Sequence, residues 1–173
     1  NTPTPVSEWA MAGSKELIRP ENVNDPDVVA MIRGLAPDAL VVIAFGQKIG
    51  EPLLEGLPAF NLHASLLPAY RGAAPINRAM IDGCTETGVS VIELAQRMDA
   101  GDVHATRTLA IDPLETAGEL HDRLAELGPE AVASVLDALA SGTSSGVSQD
   151  EALVSQAPKL SRAESSVDFT DDA

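Results

Sequence analysis

Three features of the sequence predict an α/β fold built on a mixed, mostly parallel sheet flanked by helices. Residues 39–44 (Ala-Leu-Val-Val-Ile-Ala) form a continuous apolar run of strand length, the pattern of a parallel strand covered on both faces. Helical periodicity recurs on either side of it, at residues 26–35 and 116–139. A second strand-like run at 59–63 follows after only a short helical piece, so the two read as a βαβ-like unit whose crossover is expected to be right-handed.

Residues 1–5 read as a loop and Val6–Ala12 as a short helix carrying Trp9 and Met11. Asn24-Asp25-Pro26 supplies a capping residue and then a proline at the first helical position, while Val28, Val29, Ile32 and Leu35 make one apolar face. Gly34 and Pro37 end that helix, and Gly46 breaks the strand that follows it. Glu51–Glu55 is a short helical piece ahead of the strand Ala59–His63. Pro75 starts a helix that runs through Asp82, with Gly83 as its terminator. Gly88–Leu94 alternates as a half-buried strand, and Val103–Ile111 is its hairpin partner across the 96–102 loop. Thr116–Leu127 and Pro129–Leu139 carry helical periodicity and are expected to be two helices broken at Gly128-Pro129. The Ser/Gly content of 141–149 reads as a linker, and Asp168–Ala173 as an acidic tail.

A chain of 173 residues and 18.0 kDa suits one domain with a single core. Aromatic residues are only 3% of it, so that core must be built mainly from Ala, Val, Leu and Ile. The one cysteine, Cys84, has no second thiol with which to pair and reads as a small filler residue, in keeping with a reducing, cytoplasmic setting. No apolar run approaches the ~20 residues needed to span a bilayer. The net charge of −15 argues against autonomous nucleic-acid binding, because phosphate contacts need clustered Lys and Arg. No Gly-x-Gly-x-x-Gly or Walker sequence supports a dinucleotide or nucleoside triphosphate, and no ligand set at metal spacing supports a metal, so His104 and His121 read as structural or surface residues.

Chemistry concentrates in Asn61-Leu62-His63-Ala64-Ser65-Leu66-Leu67-Pro68 and the Ala69-Tyr70-Arg71-Gly72-Ala73-Ala74-Pro75 that follows. Side chains alternate along an extended strand, so Asn61 and His63 project to one face and Leu62 to the other. An amide and an imidazole are thereby aimed at a common point. Gly72 and the two prolines enforce a stiff, non-helical loop at the C-terminal end of the strand, which is where ligands bind in open α/β sheets.

Asn61-x-His63 joined to Ser65-Leu66-Leu67-Pro68 resembles the signature of the folate-dependent formyltransferases, and Met98-Asp99-Ala100-Gly101-Asp102 resembles the acidic motif that follows it in that family. Arg71-Gly72-Ala73-Ala74-Pro75-Ile76 resembles the branch that acts on methionyl-tRNA. Ala157-Pro158-Lys159-Leu160-Ser161 with Val167-Asp168-Phe169 resembles the stretch just beyond that branch's catalytic domain. The resemblance implies a Rossmann-like fold with its first strands missing. A first strand, a helix, a second strand and a tRNA-contacting loop would precede Asn1, and the Ala39–Ala44 strand would present an unpaired edge. Residues 1–141 would be a partial catalytic domain and 142–173 a linker toward an absent C-terminal domain that helps bind tRNA, which eases the conflict with the acidic charge.

The activity implied is transfer of the formyl group of 10-formyltetrahydrofolate to the amino group of methionyl-initiator tRNA, for translation initiation, by a cytoplasmic monomer without a metal. Asn61 and His63 would donate to the oxyanion of the tetrahedral intermediate, and imidazole, which titrates near neutrality, can do so protonated if a carboxylate sits close. Asp99 is expected to be that carboxylate and to help remove the amine proton; Asp102 competes, but the family motif puts the acid at the first aspartate. Ser65, Leu66, Leu67 and Pro68 would support the folate and its formyl group. No Gly-x-Ser-x-Gly turn makes Ser65 a nucleophile. Phe45, Gly46, Gln47 and Ile49, with Arg97 and Met98, would line the pterin slot by position, with core packing the alternative for Phe45 and Ile49. Arg71 would contact phosphate or the acceptor stem, with a solvated loop charge the alternative. The alternatives are formyl transfer to an amino sugar nucleotide or to glycinamide ribonucleotide, or a folate-binding module that has lost catalysis.

Overall fold

Proline opens the short helices. In the computed structural model, which describes residues 3–165, α1 (Pro5–Ala12) and α2 (Pro26–Gly34) each start on one, and α3 (Glu51–Leu54) has Pro52 as its second residue. A proline at that place gives up an N–H that has no partner inside the helix. The Thr4 hydroxyl accepts from the Ser7 N–H ahead of α1, and the Asp25 carboxylate accepts from the Asp27 N–H ahead of α2.

The chain packs as two compact units where its length predicts a single core. Of the described residues, one unit comprises those up to Pro37 together with Gly46–Gly56, the other Asp38–Phe45 and those from Leu57 onward. The first unit closes on its own polar contacts. The Gln47 side-chain Oε1 accepts from the Val23 N–H at 2.8 Å, the Asn24 side chain bonds both the Lys48 carbonyl and the Gly50 N–H, and Arg33 of α2 donates to the Pro52 and Glu55 carbonyls of the α3 segment. Gln47, read from the sequence as a wall of a pterin slot, is committed to this bonding. Val6, Trp9 and Met11 of α1 are exposed.

The second unit is built on a four-stranded sheet in the order β1 (Leu40–Ile43), β2 (Ala59–His63), β3 (Glu86–Glu93), β4 (Val103–Ala110). Only β1 and β2 are parallel, with Val42 opposite Asn61; β2–β3 and β3–β4 are antiparallel. The sheet is mixed as expected, but among the described residues its parallel majority is absent. The β3–β4 connection is a hairpin too short for a parallel crossover. β1 is an edge strand, and the expectation that it is covered on both faces fails: Val41 and Ile43 are 39% and 56% exposed, alternating with half-buried neighbours.

The half-burial expected of β3 is also corrected, since Thr87 through Ile92 are all buried. One of its faces, with Val89 and Val91, joins Phe60 of β2 and the stripe Leu120, Leu124, Ala131 and Val135 of α5 (Ala117–Ala140) in the main core. The other lies under the loop after β2, where Ser90 is fully buried and hydrogen-bonded to it. Gly88 permits that double coverage. A Cβ there would run into the Arg107 carbonyl and come within 2.5 Å of the Leu66 side chain. Gly88→Ala should therefore destabilise the unit by about 1–3 kcal/mol, the usual cost of overpacking, and denaturant unfolding would measure it.

α5 is one helix of 24 residues, not two broken at Gly128-Pro129. Its buried residues keep a spacing of three and four straight through the proline, so packing holds the helix together against the loss of one hydrogen bond. Gly128 brings α5 close to β2, since a Cβ there would lie 2.7 Å from Leu62 Cδ2. A capping box formed by Thr116 and Glu119 starts the helix. α4 (Pro75–Ile81) again begins on proline and ends before Gly83, whose φ of +70° suits glycine.

Residues 141–149, read as a linker, return against the sheet: Val147 bridges Val103, and beyond it Gln156 bridges Arg71. Val167-Asp168-Phe169 and the acidic tail lie outside the described residues. Among the described residues no helix is long and apolar enough to cross a membrane.

Candidate active site

β2 ends in His63, which is 6% exposed, and the loop beyond it bends back so that the Tyr70 carbonyl meets His63 Nε2 at 2.8 Å. A carbonyl can only accept, so Nε2 carries the hydrogen and Nδ1 is the nitrogen left to act. Nδ1 lies 3.7 Å from Oδ2 of Asp99, whose side chain is 11% exposed. The same Oδ2 accepts the Gly72 N–H at 2.9 Å. Asn61 lies two residues before His63 on the same strand face. Among the described residues its side-chain amide has no hydrogen-bond partner, so its donors are available.

Several backbone conformations at this end of the sheet are ones that side chains rarely adopt. Tyr70 and Asp99 have φ of +62° and +52°, and Gly72 has +128°. Such residues persist only where their surroundings over-determine them. At Gly72 a Cβ would lie 2.7 Å from the Ala157 carbonyl, so here the two backbones approach closely. The Tyr70 hydroxyl bonds Cys84 Sγ and Asp82; the hydrogen bond to Cys84 first, then burial, raise its pKa above the ordinary tyrosine value of 10.0. Cys84, read from the sequence as a small filler residue, is a contact of the loop through Tyr70.

The Ser65–Pro68 loop divides in two. Ser65 is fully buried, donates to the Ala69 carbonyl at 2.6 Å and through its own carbonyl accepts from Ser90 Oγ. Its hydroxyl proton is thus used inside the loop. Leu66 leans on Gly88, whereas Leu67 and Pro68 line a cleft of about 420 Å³ with Val103, Thr106 and Gln149.

Arg71, expected to contact phosphate, is instead 3% exposed and engaged within the protein. Its Nε and Nη2 donate to Gln149 Oε1 at 3.0 and 2.8 Å, and Nη2 also pairs with Glu151. Arg78 bonds the Pro158 carbonyl and Glu164, and Arg97 bonds Glu151 at 3.0 Å. Each basic residue near the site is therefore paired with the returning chain. The Arg97 and then the Arg71 hydrogen bonds lower the pKa of Glu151 from the ordinary 4.5. A depressed folded value means that this carboxylate stabilises the fold above pH 4.5 and loses that contribution as pH falls through the folded value. Wild type should accordingly out-melt Glu151→Gln at neutral pH, and the gap should close in acid. An unchanged gap at low pH would separate the effect from the charge.

Asp102 bonds Ser148 and stands apart from the His63–Asp99 pair. His104 is the extra residue of a β-bulge opposite Val91 and Ile92; its ring meets Phe60 edge-on at 5.0 Å, Nδ1 bonds Ser144, and Nε2 is buried without a partner. His121 pairs with Asp122 on the surface. Among the described residues no group of His, Cys, Asp and Glu is arranged to hold a metal ion. Sequence reasoning missed Gln149 and Glu151 entirely. Their partners are 48 to 80 residues distant, and the Ser/Gly run before them reads as linker.

An imidazole backed by a carboxylate, beside a free amide on one strand face, can donate to a developing oxyanion and exchange a proton with an incoming nucleophile. Comparison with known proteins agrees with such chemistry. A family model described as formyl transferase matches residues 3–136. The chain is 44% identical over 170 residues to methionyl-tRNA formyltransferase of Geobacter metallireducens, covering 96% of this chain and 54% of that protein. It is also 44% identical to the Chlorobium phaeovibrioides protein of the same name, covering 99% and 54%. The chain thus spans about half the length of the curated relatives it matches. Among solved structures, methionyl-tRNA formyltransferase from Clostridium thermocellum superposes with a TM-score of 0.69 at 17% identity, over 95% of this chain and 70% of that one. HypX from Aquifex aeolicus in complex with tetrahydrofolic acid superposes with a TM-score of 0.74 at 24% identity, over 86% and 26%. These two likenesses bear on the fold, which is Rossmann-like. From the motif at the end of β2, the mixed sheet that carries it and the match over residues 3–136, it follows that the chain belongs to the formyl transferase family.

Proposed function

We propose that this chain is the catalytic part of an enzyme that moves the formyl group of 10-formyltetrahydrofolate to the amino group of methionyl-initiator tRNA. The observation that carries the reading is the His63 Nδ1–Asp99 approach at 3.7 Å beside the unpartnered Asn61 amide. Relatives 44% identical that bear the name methionyl-tRNA formyltransferase support the choice of acceptor. Tyr70 fixes the orientation of His63, so Nδ1 and the Asn61 amide face the reacting carbonyl. The acceptor nitrogen attacks the formyl carbon, the carbonyl electrons move to oxygen, and the Asn61 and His63 donors stabilise that charge. Asp99 balances the imidazolium and takes part in removing the amine proton. Collapse breaks the bond from carbon to the folate nitrogen, which takes a proton, and re-forms the carbonyl.

Ser65, Leu66, Leu67 and Pro68 serve as the folate-supporting loop in this reading, Ser65 by bracing it and Leu67 and Pro68 by their surface. Residues 1–141 form the body of the catalytic part, the segment through Ala157 returns against it, and the chain beyond leads toward the tRNA-binding part of the complete protein, which acts in the cytoplasm. With every site arginine internally paired, affinity for tRNA has to come from elsewhere in that protein. The test is a transfer assay of the intact protein with 10-formyltetrahydrofolate and three acceptors: methionyl-initiator tRNA, an amino sugar nucleotide and glycinamide ribonucleotide. Product on the tRNA alone is expected. Transfer only to a small amine would replace the acceptor, and folate binding without transfer to any would replace the activity.

A further inference from the structure

Asp99 sits at φ +52°, a conformation that a non-glycine residue holds only under constraint. Two constraints meet there. Gln149 Nε2 donates to the carbonyls of both Asp99 and Gly101, at 2.8 and 2.7 Å. Glu151 holds Arg97, two residues before Asp99. The amide of Gln149 cannot be reversed, because its oxygen faces Nε and Nη2 of the buried Arg71, and a guanidinium only donates. Arg71 thus sets the direction of the Gln149 donors, and those donors set the turn that aims Asp99.

The chain that brings Gln149 here is fastened along its length. Tyr70 N–H bonds Ser155 Oγ, Arg71 N–H bonds the Ser155 carbonyl, and the Ala157 N–H and carbonyl bond Arg71 and Ala74 in turn. All of it lies beyond residue 136, where the family match ends.

We propose that Gln149 is a positioning residue that holds the Asp99 turn in its working conformation, and that the 149–157 segment is therefore part of the active site. The proposal rests on the assignment of Asp99 to the reaction. Gln149→Glu keeps the length of the side chain and an oxygen for Arg71 but presents acceptors to the two carbonyls. Gln149→Met, which removes the donors without adding charge, is the companion variant if the first does not fold.

The experiment is a double-mutant cycle in the intact protein, reading formyl transfer for wild type, Gln149→Glu, Asp99→Asn and the pair. Hydrogen exchange of residues 97–102 is followed alongside. Gln149→Glu should lower kcat by about 10- to 100-fold with KM for the acceptor little changed, as expected for lost hydrogen bonds and misplacement of a reacting group. The pair should be no slower than Asp99→Asn alone, and exchange in 97–102 should quicken. Losses that multiply, or a Gln149→Glu enzyme with wild-type rate and exchange, would overturn the proposal. Wild-type transfer by Asp99→Asn would instead overturn the role of Asp99 itself. An intact protein inactive on every acceptor would overturn the functional reading, while exchange still reports whether Gln149 holds the turn.

Discussion

His63→Ala in the intact protein should lower the single-turnover rate of formyl transfer by about 10²- to 10³-fold, the usual cost of removing one preorganised oxyanion donor. The effect should appear in kcat, because the Nδ1 interaction is made in the transition state and not with the folate ring. His63 is buried and its Nε2 bonds the Tyr70 carbonyl at 2.8 Å, so the variant also leaves that carbonyl without its donor. A stability loss of about 1–3 kcal/mol is expected from the orphaned group. Thermal unfolding of the same preparation separates the two effects: a fold intact at assay temperature with a normal rate would assign His63 a purely structural role.

Asp99→Asn should cost about 10²- to 10⁴-fold in the same assay, the range associated with positioned acid–base groups. The substitution keeps the shape of the side chain and an oxygen to accept the Gly72 N–H, which lies 2.9 Å from Oδ2. What it removes is the charge that faces His63. The turn, which the Gln149 bonds to the Asp99 and Gly101 carbonyls hold independently, should stay in place. Asp102→Asn is the matching control, since its carboxylate bonds Ser148 and does not reach His63. If Asp102→Asn proved the more damaging of the two, the acid would have been placed on the wrong residue.

What could be read from the sequence was local. The i, i+2 spacing of Asn61 and His63 fixes their common face in any extended strand, and the proline after a capping residue marks the start of α2 to the residue. The breaks appeared where tertiary packing overrides local rules. Pro129, itself exposed, stays inside α5 because the apolar stripe from Leu120 to Val135 packs the helix against the sheet. β3 alternates like a half-exposed strand, yet Ser90 is buried because its hydroxyl is satisfied by the loop that covers it. Arg71 looked like a free cation because the carboxamide and carboxylate that engage it lie 78 and 80 residues away. The pairing of Asp99 with His63, 36 residues apart, came from a family motif; no periodicity contains it.

The most direct measurement is a single-turnover cycle on the two donors, with 10-formyltetrahydrofolate and methionyl-initiator tRNA supplied to wild type, Asn61→Ala, His63→Ala and the double variant of the intact protein. Each single change should cost about two or more orders of magnitude with folate binding nearly unchanged. The double variant should lose much less than the product of the two, because both donors serve one oxygen atom. A single variant with a near-normal rate, or two losses that multiply fully, would contradict a shared oxyanion site at the end of β2.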